Sequence, residues 1–153
     1  MPQLGTKQRR RRNRALKDKL LHWYKAVPKL VDEALAATAR AQSWRGFNVG
    51  SASISMLPNG AFVTFDAANV KKAEGPRTEG DLCAEMHIVR QAEQMGCEEI
   101  VGIVTAAPHQ PDDFSGIDLG VTTLCVYCRK FVRERLEKGG PLKPTTRLLF
   151  VNS

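Results

Sequence analysis

The sequence lacks any apolar run long enough to cross a lipid bilayer. Near its basic start, Lys17, Asp18, Lys19 and Lys25 interrupt the apolar residues. A membrane span needs about 20 consecutive apolar residues, and a secretory signal needs an apolar stretch after its basic start. We therefore expect a cytoplasmic protein.

Cysteine is also scarce, with four residues in a chain of 153. A chain of this length can bury one core without disulfide bonds. In a reducing compartment its cysteines are more often thiols or metal ligands than disulfides. Cys97, beside Gly96, has no partner at a metal-ligand spacing, and we interpret it as a packing residue. This leaves Cys83, Cys125 and Cys128 as candidates for chemistry.

Acidic residues are nearly absent from the first 20 positions. Eight Lys and Arg residues stand there against Asp18 alone, whereas the rest of the chain has 15 basic and 15 acidic residues. The run from Gln8 to Arg14 repels itself and has nothing apolar to bury. We predict a basic, disordered tail over residues 1–20 and a single domain over residues 21–153. The tail is either a solvated arm or a contact for phosphates, and it is the one predicted route to nucleic acid.

Two helices are predicted at the start of the domain. The first has apolar residues on one face: Leu16, Leu20, Trp23 and Val27. Pro28 is predicted to end this helix and to open a second one, which ends near Ser43.

The pattern then alternates as in β-strands. A strand is predicted from Phe47 to Met56, followed by a tight turn at Leu57–Gly60 and an antiparallel partner over Ala61–Phe65. Further on, the sequence predicts a helix over residues 82–95, a buried strand at 100–104, a helix from Cys125 to Gly139–Gly140 and a last strand at 148–151. The fold class is α/β with a mixed sheet.

The three candidate cysteines stand at predicted helix starts, where free N–H groups and the helix dipole favour the thiolate. Thiolate is the form that binds zinc. A zinc ion with only three protein ligands, Cys83, Cys125 and Cys128, keeps a place for water, which distinguishes a catalytic site from a structural one. Arg129 is predicted to offset the charge of the sulfurs. Glu85 is predicted to take a proton from the water and pass it to a leaving group.

These residues resemble a known family. Cys83-Ala84-Glu85, followed by Cys125-Val126-Tyr127-Cys128-Arg129, resembles the signature of the cytidine deaminase superfamily. Cysteine as the first ligand is similar to the branch acting on free nucleosides, the cytidine and blasticidin S deaminases. The segments Phe47–Ala52 and Asn69-Val70 also resemble that branch, and the likeness covers about residues 28–151.

The resemblance implies a three-layer α/β/α domain and a zinc-dependent hydrolase acting on a cyclic amidine C–N bond. Its expected reaction converts a cytosine-containing nucleoside or analogue to the uracil form, with release of ammonia. Phe47 would pack near the pyrimidine, Asn69 would meet a sugar hydroxyl, and the backbone of Ala84 would help to hold the base. A homotetramer or homodimer is also implied.

Two positions depart from the family pattern. Leu124 replaces the proline before the paired cysteines, and Lys71 replaces the glutamate expected after Asn69-Val70. A cation at position 71 suits a substrate with an acidic group, such as a blasticidin-type antibiotic or a phosphate. A nucleic-acid-directed deaminase using the basic tail stays open as an alternative. So does a structural zinc module or redox protein without turnover, because a Cys-x-x-Cys at a helix start allows it.

Overall fold

The computed structural model describes residues 5–43, 46–71, 73, 81–108 and 126–153. Its helices are α1 (Thr6–Ala37), α2 (Ala84–Gln94) and α3 (Val126–Lys138), with a 3-10 turn at Thr38–Arg40. Its strands are β1 (Gln42–Ser43), β2 (Gly50–Met56), β3 (Phe62–Ala68), β4 (Val70–Lys71), β5 (Glu99–Ala107) and β6 (Arg147–Asn152). No helix of this described part is long and apolar enough to cross a membrane.

Four strands form a mixed sheet in the order β3-β2-β5-β6. β2 runs antiparallel to β3 and β5, and β5 runs parallel to β6. β1 and β4 form a separate, parallel pair. The predicted mixed sheet, with its first long strands joined as an antiparallel hairpin, is confirmed. The hairpin turn is closed by Gly60 N–H donating to Leu57 C=O at 2.9 Å, and Gly60 has the positive φ of 86° that glycine tolerates.

The sheet has a helical layer on each face. Alternate side chains of β2 and β5 face α1, and they form a core with it: Trp23, Leu30, Ala34, Ala52, Ile54, Val101, Val104 and Ala106. A second core lies on the opposite face, beneath α2 and α3: Ala67, Ile88, Val89, Ala92, Cys97, Ile100, Ile103, Phe131 and Leu142. The domain is therefore a three-layer α/β/α structure, as predicted, and Cys97 is confirmed as a packing residue.

The prediction of a helix boundary at Pro28 is wrong, because α1 passes through this residue without ending. Proline removes one helical hydrogen bond and costs about 3 kcal/mol in a helix interior. The buried residues Trp23, Leu30, Ala34 and Ala37 lie on both sides of it, on one continuous face that covers the sheet. Burial of this face outweighs the cost of the proline.

The basic segment also differs from the predicted disordered tail, since residues 6–20 form the first turns of α1. Arg, Lys, Gln, Leu and Ala all have high helix propensity, and no Gly or Pro interrupts them. The segment continues a helix that is fixed to the sheet by Trp23, so it needs no nucleation of its own. Lys19 Nζ forms an ion pair with Glu99 Oε2 at the start of β5.

Gly50 allows α1 to lie close to the sheet. A Cβ at this position would collide with the backbone oxygen of Ala34 and would lie 2.7 Å from Thr38 N. We expect Gly50→Ala to lower the free energy of unfolding by about 1–3 kcal/mol, because helix backbone atoms must move to admit the methyl group. Urea unfolding would measure this change. Gly5→Ala is the control, since its added Cβ meets nothing within 4 Å; equal losses in both variants would contradict the prediction.

Candidate active site

The predicted site residues that the structure describes lie at one end of the sheet. There β2 begins at Gly50, which pairs with Ala68 at the end of β3 and with Ala106 near the end of β5. α2 begins beside the same end, because Leu82 forms an antiparallel bridge with Val70. Ligand sites of open α/β sheets commonly lie outside the carboxyl ends of their strands.

Cys83 precedes the first residue of α2 and occupies the N-cap position, with φ −72° and ψ 152°. Its carbonyl accepts a hydrogen bond from His87 N–H at 3.2 Å, which closes the first helical turn. The backbone bridge between Leu82 and Val70, with N···O distances of 2.8 and 3.0 Å, fixes the approach to this cap. Cys83 therefore stands at a helix start held by backbone hydrogen bonds, and its position at the beginning of a helix is as the sequence predicts.

Glu85 and Cys128 lie together. Cys128 Sγ donates a hydrogen bond to Glu85 Oε2 at 3.6 Å. Glu85 belongs to the first turn of α2 and Cys128 to the first turn of α3, so this contact joins the two helix starts. Glu85 is only 7% exposed and Cys128 only 1%. A carboxylate this buried differs from an ordinary first-turn glutamate, which is solvated.

Cys125, the third predicted ligand, lies outside the described residues, as does Leu124. Within the described ranges no group of three His, Cys, Asp or Glu residues is arranged to hold a metal ion. Arg129 lies on the exposed side of α3, next to Cys128. The roles of Cys125 and Arg129 stay predictions.

An apolar cluster borders the thiol–carboxylate pair. Phe47 packs against the buried residues Val49, Ala84 and Ala107. Ala84 stands between Cys83 and Glu85 and is fully buried. Phe47 and Ala84, which were predicted to hold the base, thus lie in one cluster at the start of α2.

Asn69 ties the Phe47 segment to the sheet. Its Oδ1 accepts from Val49 N–H at 2.9 Å, and its Nδ2 donates to Phe47 C=O at 2.9 Å. The resemblance implies a contact between Asn69 and a sugar hydroxyl. It does not predict these two hydrogen bonds to the backbone.

Lys71 forms an ion pair within the domain that its sequence position does not predict. Its Nζ lies 3.3 Å from Oδ2 of Asp81, which is only 9% exposed, and donates to Ala73 C=O at 3.1 Å. Asp81 stands two residues before Cys83. The charge of Lys71 is balanced within the domain, so an acidic substrate group would compete with Asp81 for it.

Burial shifts the pKa values of two side chains, His87 in α2 and Cys97 beneath it. The pKa of His87 is lowered by burial and, secondarily, by the neighbouring Arg90 cation. Both causes favour the neutral imidazole. Burial raises the pKa of the Cys97 thiol, which keeps it protonated and unreactive.

The described part of the chain is thus a three-layer α/β/α domain with a thiol–carboxylate pair where two helices begin. No protein-family model matches the sequence, and no curated protein matches it. Similar solved structures are cytidine deaminases. That of Burkholderia pseudomallei is 22% identical, with a TM-score of 0.48, over 68% of this chain and 72% of that one. That of Mycobacterium leprae is 21% identical, with a TM-score of 0.49, over 79% of this chain and 84% of that one. That of Mycobacterium tuberculosis is 24% identical, with a TM-score of 0.48, over 79% of this chain and 81% of that one.

Proposed function

We propose that this protein is a zinc-dependent hydrolytic deaminase acting on a cytosine-containing nucleoside or nucleoside analogue. The observation that carries the proposal is the buried contact between Cys128 Sγ and Glu85 Oε2. This contact joins the proposed metal ligand Cys128 and the proposed acid–base group Glu85, which come from two separate segments. A module with zinc for structure alone has no need of a buried carboxylate beside its thiols.

The residues suit zinc by their chemistry. Cys83 and Cys128 lie at the starts of α2 and α3, where the thiolate is favoured, and Cys125 completes the proposed set. Three thiolates next to the Glu85 carboxylate would concentrate negative charge in a buried space, whereas in the structure the Cys128 thiol donates to Glu85. A divalent cation held by these three cysteines would offset that charge.

The chain's own groups would then do the following work. When bound, zinc supplies a Lewis acid that lowers the pKa of a water molecule. Glu85 would accept the proton which this water gives up and pass it to the ring nitrogen, as the water oxygen bonds to the ring carbon that bears the amino group and the C=N double bond becomes single. Glu85 would then move the proton of the new hydroxyl group to the amino nitrogen, so that the C–N bond breaks, C=O forms and ammonia leaves. Burial of Glu85 keeps this proton from exchanging with bulk solvent.

The substrate base would rest on the apolar cluster. Phe47 offers a flat surface for a pyrimidine ring, and backbone groups at Ala84 would hold its edge. An uncharged nucleoside is favoured over a blasticidin-type substrate, because Asp81 already pairs with Lys71. A panel assay of ammonia release on cytidine, deoxycytidine, cytosine, cytidine phosphates and blasticidin S tests this. Turnover confined to blasticidin S or the phosphates would contradict the preference.

Asn69 holds the segment that carries Phe47, and we propose that its remaining amide N–H contacts a sugar hydroxyl. Asn69→Ala leaves Phe47 C=O and Val49 N–H without their partner, so we expect the free energy of unfolding to fall by about 1–3 kcal/mol. Urea unfolding measures the loss. Asn59→Ala is the matched control, since Asn59 Oδ1 accepts from Ala61 N–H in an exposed turn. A loss at position 69 no larger than at position 59 would contradict the prediction.

A homodimer or homotetramer is part of the same proposal, by analogy with the family that the sequence resembles. The alternative of a non-catalytic zinc module predicts zinc in the purified protein and no ammonia from any substrate. The alternative of a redox protein predicts a disulfide between Cys125 and Cys128 and no zinc. Zinc analysis combined with the panel assay separates all three.

A further inference from the structure

The first turns of α1 form an exposed basic helix, residues 6–19, which we call the basic extension. Every residue from Thr6 to Asp18 is exposed, and the buried residues of α1 begin at Trp23. At about 1.5 Å per residue, these 14 positions span about 21 Å. The extension is therefore a helical rod on the domain and not a random arm.

Its charge is concentrated, and among the described residues only Lys19 of its cations forms an ion pair, with Glu99. Eight cations occupy it: Lys7, Arg9, Arg10, Arg11, Arg12, Arg14, Lys17 and Lys19. Asp18 is its one acidic residue, and the rest of the chain is neutral overall. Among the described residues, none of the five arginines forms an ion pair.

The helix is electrostatically unfavourable by itself. Its first turn has no acidic residue, so the arginines lie near the positive end of the helix dipole. Lys7 and Arg11, and likewise Arg10 and Arg14, are like charges four residues apart, which destabilises a helix. A linear anion placed along the rod would relieve both effects at once.

The arrangement of the cations matches a phosphate backbone. Lys7, Arg10, Arg11 and Arg14 line one groove along the helix, together with Ala15 and a single carboxylate, that of Asp18. Arg9 and Arg12 lie on the other side, so that phosphates can be contacted from two faces. Arginine binds phosphate through paired hydrogen bonds.

A membrane partner is disfavoured by the same residues. A helix that binds a bilayer surface needs a broad apolar face opposite its basic face. Between Thr6 and Lys19 the extension has only Ala15 and Leu16 as apolar residues. The apolar residues that follow, from Trp23 onward, pack against the sheet and are not available to a bilayer.

We propose that the basic extension binds the phosphodiester backbone of a polynucleotide. Binding would rest on charge and helix geometry and not on base sequence. It is independent of deamination, because the extension makes its contacts outside the proposed active site.

The test measures binding of the full chain to labelled oligonucleotides of about 20 nucleotides by fluorescence anisotropy, over about 0.05–0.3 M salt. Single-stranded RNA, single-stranded DNA and duplex DNA are separate arms, which identify the preferred polynucleotide. We expect log K to fall linearly with log salt concentration, with a slope of about −4 to −6. In the variant Arg9→Gln/Arg10→Gln/Arg11→Gln/Arg12→Gln the magnitude of this slope should decrease by about 3. Its affinity for the oligonucleotide should decrease by at least about 30-fold.

A matched control removes four exposed cations from the body: Lys130→Gln/Arg133→Gln/Lys138→Gln/Arg147→Gln. It has the same net charge as the first variant and should keep most of the binding. Circular dichroism checks that helix content is retained, since Gln and Arg have similar helix propensity. Equal losses in both variants, or no salt dependence, would overturn the proposal. So would tighter binding to vesicles containing anionic lipid or to polyglutamate than to every oligonucleotide.

Discussion

Glu85→Gln should greatly slow ammonia release while leaving zinc in place. Glutamine has nearly the shape of glutamate but cannot accept or deliver the proton. A positioned acid–base group contributes about 10²–10⁴-fold to rate, so we expect kcat to fall by about 10³-fold. The measurement is ammonia release with the best substrate of the panel, together with zinc per chain by atomic spectroscopy.

The matched control for this change is Glu98→Gln. Glu98 is exposed beyond the end of α2, so its neutralisation should change neither activity nor zinc content. A Glu85→Gln enzyme within about 10-fold of the unaltered chain would remove Glu85 from the mechanism. A variant that lost zinc as well would mean that the carboxylate is needed to hold the metal, against the proposal.

Most of the fold could be predicted because local pattern and tertiary packing agree. In β2 the alternation from Gly50 to Met56 and the turn at Leu57–Gly60 both specify a hairpin, and the structure has one. Pro28 is the exception, since local propensity and burial disagree there. Burial of the apolar face of α1 decides the outcome at Pro28. That burial depends on the packing of α1 against the sheet, which the residues close to Pro28 in the sequence do not reveal.

The basic extension shows the converse case. Its charge pattern indicates disorder, whereas its propensity and its continuity with a packed helix favour α-helix. The sequence alone does not reveal that residues 6–20 and the sheet-bound half of α1 form one element.

The site was predictable where chemistry restricts residue type. Cysteines at metal-ligand spacing with a nearby glutamate have few uses, so residue type and spacing predict Glu85 and Cys128 as site residues, and the structure has them in contact. The contacts of Asn69 and Lys71 were not predictable, because asparagine and lysine serve many purposes. Their partners, Phe47 and Asp81, lie 22 and 10 residues away along the chain. Only the close approach of β4 to the residue before Cys83 brings Lys71 and Asp81 together.

Replacement of each proposed ligand should remove the metal. Cys83→Ser, Cys125→Ser and Cys128→Ser each exchange a thiolate, which zinc binds strongly, for a hydroxyl that stays protonated at neutral pH. We expect zinc to fall from about one ion per chain to below about 0.1 after dialysis against a chelator, since three-ligand sites lose affinity steeply with a missing ligand. Ammonia release should fall by at least about 100-fold in each variant.

Cys97→Ser supplies the control for these three changes. Cys97 packs in the core beneath α2 and is not one of the proposed zinc ligands. This variant should therefore keep its zinc and its activity. Burial of a hydroxyl there should cost about 1–3 kcal/mol of stability, which urea unfolding would measure. Zinc content and the free energy of unfolding therefore distinguish the variants. The ligand variants lose zinc, whereas the core variant loses stability and keeps its zinc. If Cys128→Ser kept a full zinc ion, Cys128 would not be a ligand, and its contact with Glu85 would be packing alone.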